Sequence, residues 1–345
     1  MRWSRARACH IRPGRSGAVS SLLRRERYPA GSGNPLRKRA AQVEAVRWRR
    51  YRFFLHGNAL PADTDCTGLA AGALFRHGLL RAADLEACGR DLLQAAAPAG
   101  TVPGDDAVLI PGVPLVHWED GAEPGTRQRG RKHDAVACAN ALYTVQLAGG
   151  LAAEAAHFTA ASHNYLTDHL ASGRYLAGTR CYPSPDAFLY ALSRLCARFP
   201  ASARVLSASL HRALSDREAT DSARALAGSP GGALDIALRT LTADNLSRTT
   251  GQTERRMLLA QAQQADGSWL ACPYYRMGRF PVYFGFSCLT TVFALKALHT
   301  RENSGPARPC RLPADAAATP VTRPDLCERQ ARQVGFGRAT GSQQD

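Results

Sequence analysis

An all-α fold, with an inner ring of apolar helices wrapped by an outer ring of amphipathic ones, is what this sequence predicts. Three observations carry it. Between residues 53 and 300, helical segments apolar nearly all round alternate with segments apolar on one side only. An Ala-Leu step recurs at 73–74, 141–142, 191–192, 237–238 and 294–295, spaced 68, 50, 46 and 57 residues apart. That spacing suits stacked helical hairpins of roughly fifty residues. Excess charge, finally, is confined to the chain's beginning. Residues 1–52 hold 15 Arg and Lys against two Glu, and the remainder is nearly balanced, with 29 basic and 26 acidic residues.

The inner, enclosed helices are placed at Thr64–Gly78, Asp134–Ala148, Pro185–Phe199, Gly231–Ala243 and Ser287–His299. Ser184-Pro185-Asp186 marks one start, with an N-cap hydroxyl, a first-turn proline and an acid matched to the helix dipole. The outer helices show their apolar stripe at Leu85, Cys88, Leu92 and Leu93, then at Phe158, Tyr165, Leu166 and Leu170, then at Leu206, Leu210 and Leu214. Residues 98–131 form a long Pro-, Gly- and charge-rich connection, within which Val108–Val116 reads as a short strand or hairpin.

The Arg-rich leader 1–52 lacks hydrophobic periodicity and reads as a disordered tail. A transit-type peptide and a contact to a polyanion or membrane surface are the alternatives for it. The tail 301–345 reads as unstructured as well. No apolar run reaches the ~20 residues of a membrane span. Ten cysteines without a CxxC pair, several inside apolar helices, point to reduced thiols and a cytoplasmic protein. His157, His163 and His169 recur every six residues, which scatters them over helix faces and reads as solvent-side. No phosphate-cradling glycine loop, GxSxG elbow or metal-ligand spacing is present, so no metal and no cofactor are expected. Nor is nucleic-acid binding expected of the folded domain, given its balanced charge.

Two short motifs carry the chemistry. Asp63-Thr-Asp-Cys-Thr67 puts two carboxylates where an apolar helix begins, and Gln264-Ala-Asp-Gly-Ser-Trp269 joins a helix-breaking turn to an indole. Together they resemble the terpenoid cyclases of the squalene–hopene type and the protein prenyltransferases, which share an (α/α) toroid. The resemblance covers roughly residues 50–300 and implies about five or six hairpins. In squalene-type cyclases a DxDD(T) motif supplies a protonated Asp that attacks an alkene or epoxide. Asp65 matches that donor and Asp63 its neighbour, while Cys66 stands where the family has a third Asp.

Such chemistry needs an Asp kept neutral near pH 7, well above its usual ~3.9. Burial and a second carboxylate push upward, whereas a helix N-terminus pulls down. A plain alternative is that Asp63 or Thr64 caps the helix and Asp65 complements its dipole. Aromatic rings suit carbocations, and the resemblance marks Tyr143, Phe188, Tyr190, Tyr283 and Phe284 as candidates to line an apolar, isoprenoid-like ligand. Gln264, Gly267 and Trp269 are expected to serve the fold. The expectation is a terpenoid-cyclase-like protein with protonation-initiated, class II cyclisation, an isomerase activity. Its rivals are a non-catalytic toroid binding a lipid, peptide or partner protein, and an accessory subunit of a prenyl- or polyketide-type assembly.

Overall fold

Helices of the two kinds expected from the sequence alternate along the chain in the computed structural model, which describes residues 61–99, 109–117, 129–226, 232–278 and 280–299. Two units divide the chain, Met1–Thr300 and Arg301–Asp345. The expectations for the leader 1–52 and for the tail 301–345 lie outside the described residues. The described part is mostly helical. The helices that the sequence places as inner, and called inner below, are α1 (Thr64–Arg76), α3 (Ala135–Ala148), α5 (Pro185–Arg198), α7 (Ala233–Asn245) and α9 (Ser287–His299). Between them come α2 (Ala82–Gln94), α4 (Ala156–Ala171), α6 (Pro200–Leu226) and α8 (Gln252–Gln261), with a 3₁₀ turn at Arg174–Ala177.

Packing follows the apolar pattern. Each inner helix lies on the next, α1 on α3, α3 on α5, α5 on α7 and α7 on α9, and each of α2, α4, α6 and α8 covers the inner helix before it. Of α3, residues Ala135 to Val145 are all buried, as a helix apolar on every side requires. On the outer helices the stripe is buried at Leu85, Cys88 and Leu92 on α2, Phe158, Leu166 and Leu170 on α4, and Leu206, Leu210 and Leu214 on α6, together with polar neighbours such as Ser162 and Ser202. Helix α1 meets α3 closely because Gly68 and Gly72 face it. A Cβ on Gly68 would stand 3.1 Å from the carbonyl oxygen of Asn140. Helix α9 departs from the enclosed pattern, since Val292 and Leu295 are exposed, as is Phe286 just before it.

Two short features differ from the sequence expectation. Val108–Val116 forms no strand among its described residues; Ala96 and Asp63 make isolated bridges to Pro114 and His117. Pro111 and Pro114 lack the N–H groups a ladder needs, so the segment is laced instead by single bonds such as Leu115 N to Ala95 O at 2.9 Å. An unforeseen two-residue hairpin pairs β1 (Tyr275–Arg276) with β2 (Tyr283–Phe284). Among the described residues, no helix is long and apolar enough to cross a membrane.

The cysteines at 66, 88, 138, 181, 196, 272 and 288 are free thiols. Those at 9, 310 and 327 lie outside the described residues. Of the three spaced histidines only His157 is exposed, for His163 and His169 are buried. His169 packs edge-on against Phe188 at 4.8 Å and His163 shares a hydrogen bond with Ser202, so tertiary contacts cover faces that spacing alone left open.

Candidate functional site

The inner helices begin at a common set of carboxylates. Asp63 is the N-cap of α1, its Oδ1 accepting from Cys66 N at 2.6 Å. Asp134 caps α3 through Val136 N and Ala137 N, and its other oxygen accepts from Cys181 N at 2.8 Å. Asp186, in the first turn of α5, takes Arg239 Nη2 at 2.6 Å and Arg217 Nη2 at 3.1 Å, all three groups buried. Asp235 opens α7 and accepts from Ser184 Oγ at 2.5 Å.

A single loop, residues 178–184, joins most of these ends. It sends Cys181 N to Asp134, the Tyr182 hydroxyl to Asp65 and Ser184 Oγ to Asp235. Gly178 makes the loop possible. Its φ is +74°, and a Cβ there would lie 2.5 Å from the carbonyl oxygens of Tyr182 and Pro183. Arg276 of β1 holds the loop from the other side, donating to Thr179 O at 2.7 Å and Arg180 O at 3.1 Å.

Asp65 lies in the first turn of α1 and is buried. Its Oδ1 accepts from Asn140 Nδ2 at 2.7 Å and its Oδ2 from the Tyr182 hydroxyl. Burial, and next the charge of Asp63, push its carboxyl up to about 7, while the bonds from Tyr182 and Asn140 pull the other way and Asp134 adds to the rise. The carboxyl therefore changes protonation state near neutral pH. Burial also holds the Tyr182 hydroxyl well above its ordinary range, so it stays a donor. Beside Asp63 and Asp65 is a cavity of about 30 Å³ lined also by Cys66, His117, Cys181 and Tyr275. That is enough space to admit water.

Beyond Asn140 the polar path continues. Its side-chain oxygen accepts from Arg194 Nη1 at 3.2 Å, and the guanidinium of Arg194 stands over the ring of Tyr143 at 4.8 Å and that of Tyr190 at 5.9 Å. Lys296 donates to the Tyr190 hydroxyl at 3.2 Å. Aromatic rings close the set: Tyr182 meets Tyr274 and Tyr275 edge-on, Tyr190 and Tyr274 meet Phe293, and Tyr275 meets Phe284.

Of the residues singled out from sequence, Asp63, Asp65, Tyr143, Tyr190 and Phe284 belong to this connected group. Phe188 points elsewhere, toward His169 and Tyr175, and Tyr283 is half exposed on the hairpin. Trp269 is fully buried and donates to Leu259 O at 2.8 Å; Gly267, at φ +82°, closes its turn by donating to Gln264 O at 2.9 Å. The Gln264 side chain, by contrast, makes only an exposed contact to Ala262 O. Sequence reasoning passed over Asn140, Arg194 and Lys296. Their signal was present, as polar residues at inner-helix positions that the pattern otherwise fills with apolar ones. Among the described residues, no group of three His, Cys, Asp or Glu is arranged to hold a metal ion. Compared with family models, with curated proteins and with solved structures, the chain matches none.

Proposed function

We propose that this chain is a terpenoid-cyclase-like protein in which Asp65 is a Brønsted acid serving an isoprenoid-type ligand. The observation that carries the reading is a buried carboxyl held at about 7, facing a wall of tyrosines and bonded to none of the arginines. An acid must be protonated at working pH and still acidic enough to give the proton up, and a value near 7 meets both needs. Asp63 raises it, as a neighbouring carboxylate should. The series α1, α3, α5, α7, α9 with an outer helix on each of the first four supports an (α/α) toroid of five or six hairpins. Arg194 and Lys296 would receive an anionic end such as a diphosphate, leaving the apolar chain to the rings of Tyr143, Tyr190 and Phe293.

A second reading, a binding toroid without turnover, draws on one observation. Both oxygens of Asp65 already have donors, and the adjoining cavity, at about 30 Å³, is far smaller than the ~300–1,000 Å³ of ligand pockets. The experiment is conversion of farnesyl diphosphate, geranylgeranyl diphosphate and squalene by wild type, Asp65→Asn and Asp63→Asn, with product analysis by mass spectrometry. Asp65→Asn should lose at least 10²–10⁴-fold in turnover. Asp63→Asn, by removing the charge that lifts Asp65, should move activity to lower pH. A wild type inert on all three substrates but retaining one of them would support the binding toroid.

A further inference from the structure

Away from the carboxylate end, a cavity of about 600 Å³ opens between the C-terminal end of α3 and the first turns of α4 and α6. That volume is typical of pockets that take small molecules, roughly 300–1,000 Å³. Ala156 and Ala160 of α4 are among its lining residues, and both leave their side of it open. Farther along, Leu166 and Leu170 are buried and restore close packing. The walls are apolar, with Val145, Leu151 and Val205 among them.

One side of the cavity is polar and built. His163 Nε2 shares a 2.9 Å hydrogen bond with Ser202 Oγ, and Ser202 and the Gln146 amide are joined at 2.9–3.0 Å; His163 and Ser202 are buried. Burial lowers the His163 proton affinity, so its ring is neutral at pH 7. Arg204 supplies the positive charge at the rim, and no carboxylate is among the lining residues. The closest acid on the connecting turn, Glu154, reaches instead toward Arg90 at 3.8 Å. Both α4, whose Ala155 N-cap offers no side-chain bond, and α6 start here, so their dipoles add positive potential.

We propose that this cavity is a binding site for a medium-chain carboxylate, its head group at Arg204 and its alkyl chain along Ala156 and Ala160. The site is separate from Asp65 and stands or falls independently of the function proposed there. Calorimetric titration of the full chain with decanoate, decanol and decylamine tests it. Decanoate should bind once per chain and at least tenfold more tightly than decylamine. Arg204→Gln should weaken decanoate about tenfold, a change of ~1.4 kcal/mol, and leave decanol unchanged. Ala160→Phe, at an exposed helix position that tolerates a larger side chain, should abolish binding of both while the melting temperature holds. Equal affinity for decanoate and decylamine would overturn the charge assignment. Silence of the wild type toward decanoate, or Ala160→Phe binding as wild type does, would overturn the site.

Discussion

Replacing Asp65 with Asn should change how stability depends on pH, and the size of that change follows from the structure. The carboxyl is raised from an ordinary 3.8 to about 7 in the folded chain, chiefly by burial and by Asp63. Below pH 3.8 both folded and unfolded chains hold the proton, so Asp65 adds no pH dependence there. Between 3.8 and about 7 the folded chain holds it and the unfolded chain has released it. Stability must then fall as pH rises through that window, by up to ~1.36 kcal/mol per pH unit, and level off above it. The whole displacement is of the order of 4 kcal/mol, and about 2.7 kcal/mol of it falls between pH 5 and pH 8.

Asp65→Asn has no such slope. Its single acceptor oxygen cannot serve both Asn140 and Tyr182, which costs about 1–3 kcal/mol at every pH alike. Urea unfolding followed by tryptophan fluorescence, in half-unit steps from pH 5 to pH 8, separates the slope from the offset. The difference between wild type and variant should therefore drift in favour of Asn by about 2.7 kcal/mol across that range. Tyr182→Phe removes a bond that favours the ionised form, so its falling limb should extend to higher pH than in wild type. Parallel profiles for wild type and Asp65→Asn would refute the assignment of a raised carboxyl.

Three further outcomes are expected from the packing. Trp269→Ala should lose about 3–5 kcal/mol in urea unfolding, since it empties a fully buried site and leaves Leu259 O without its donor. Asp186→Ala should lose a similar ~3–5 kcal/mol, because Arg217 and Arg239 remain buried without their carboxylate; Asp186→Ala with Arg239→Met should recover part of it. Gly68→Ala brings a methyl to 3.1 Å from a backbone oxygen of α3, and a loss of about 1–3 kcal/mol is expected on thermal or urea unfolding.

The inner helices were legible in the sequence almost to the residue. Thr64–Gly78 became Thr64–Arg76 and Ser287–His299 kept its bounds, but the enclosure expected of Ser287–His299 was not met, since Val292 and Leu295 are exposed. Trp269 was equally readable as a structural residue, since an indole after a glycine turn can bury its ring and still reach a carbonyl. The site was less so. Asn140 and Thr144 are four apart on α3 and face Asp65 and Gly68, but one helix's periodicity says nothing of what stands opposite. Tyr182 and Phe188 are six residues apart, yet their rings have different partners: Tyr182 turns to Asp65 and Phe188 to His169.

The sequence also posed capping and acid chemistry at Asp63 and Asp65 as rivals, and the geometry gives the cap to Asp63 alone. Asp63 does the capping, holding Cys66 N at 2.6 Å from a position outside the helix. Asp65 is inside the first turn, where the helix dipole favours ionisation by an amount that rarely exceeds ~2 kcal/mol. Against it stand burial and the charges of Asp63 and Asp134, which together leave the carboxyl at about 7 in spite of two hydrogen bonds. Desolvation therefore outweighs the dipole, and the cap itself contributes to the raised value by being a carboxylate. A Ser at position 63 would cap the helix as well as Asp does, but would leave Asp65 without its nearest like charge. The carboxylate cap thus keeps Asp65 protonated to a higher pH than its helix position alone would allow.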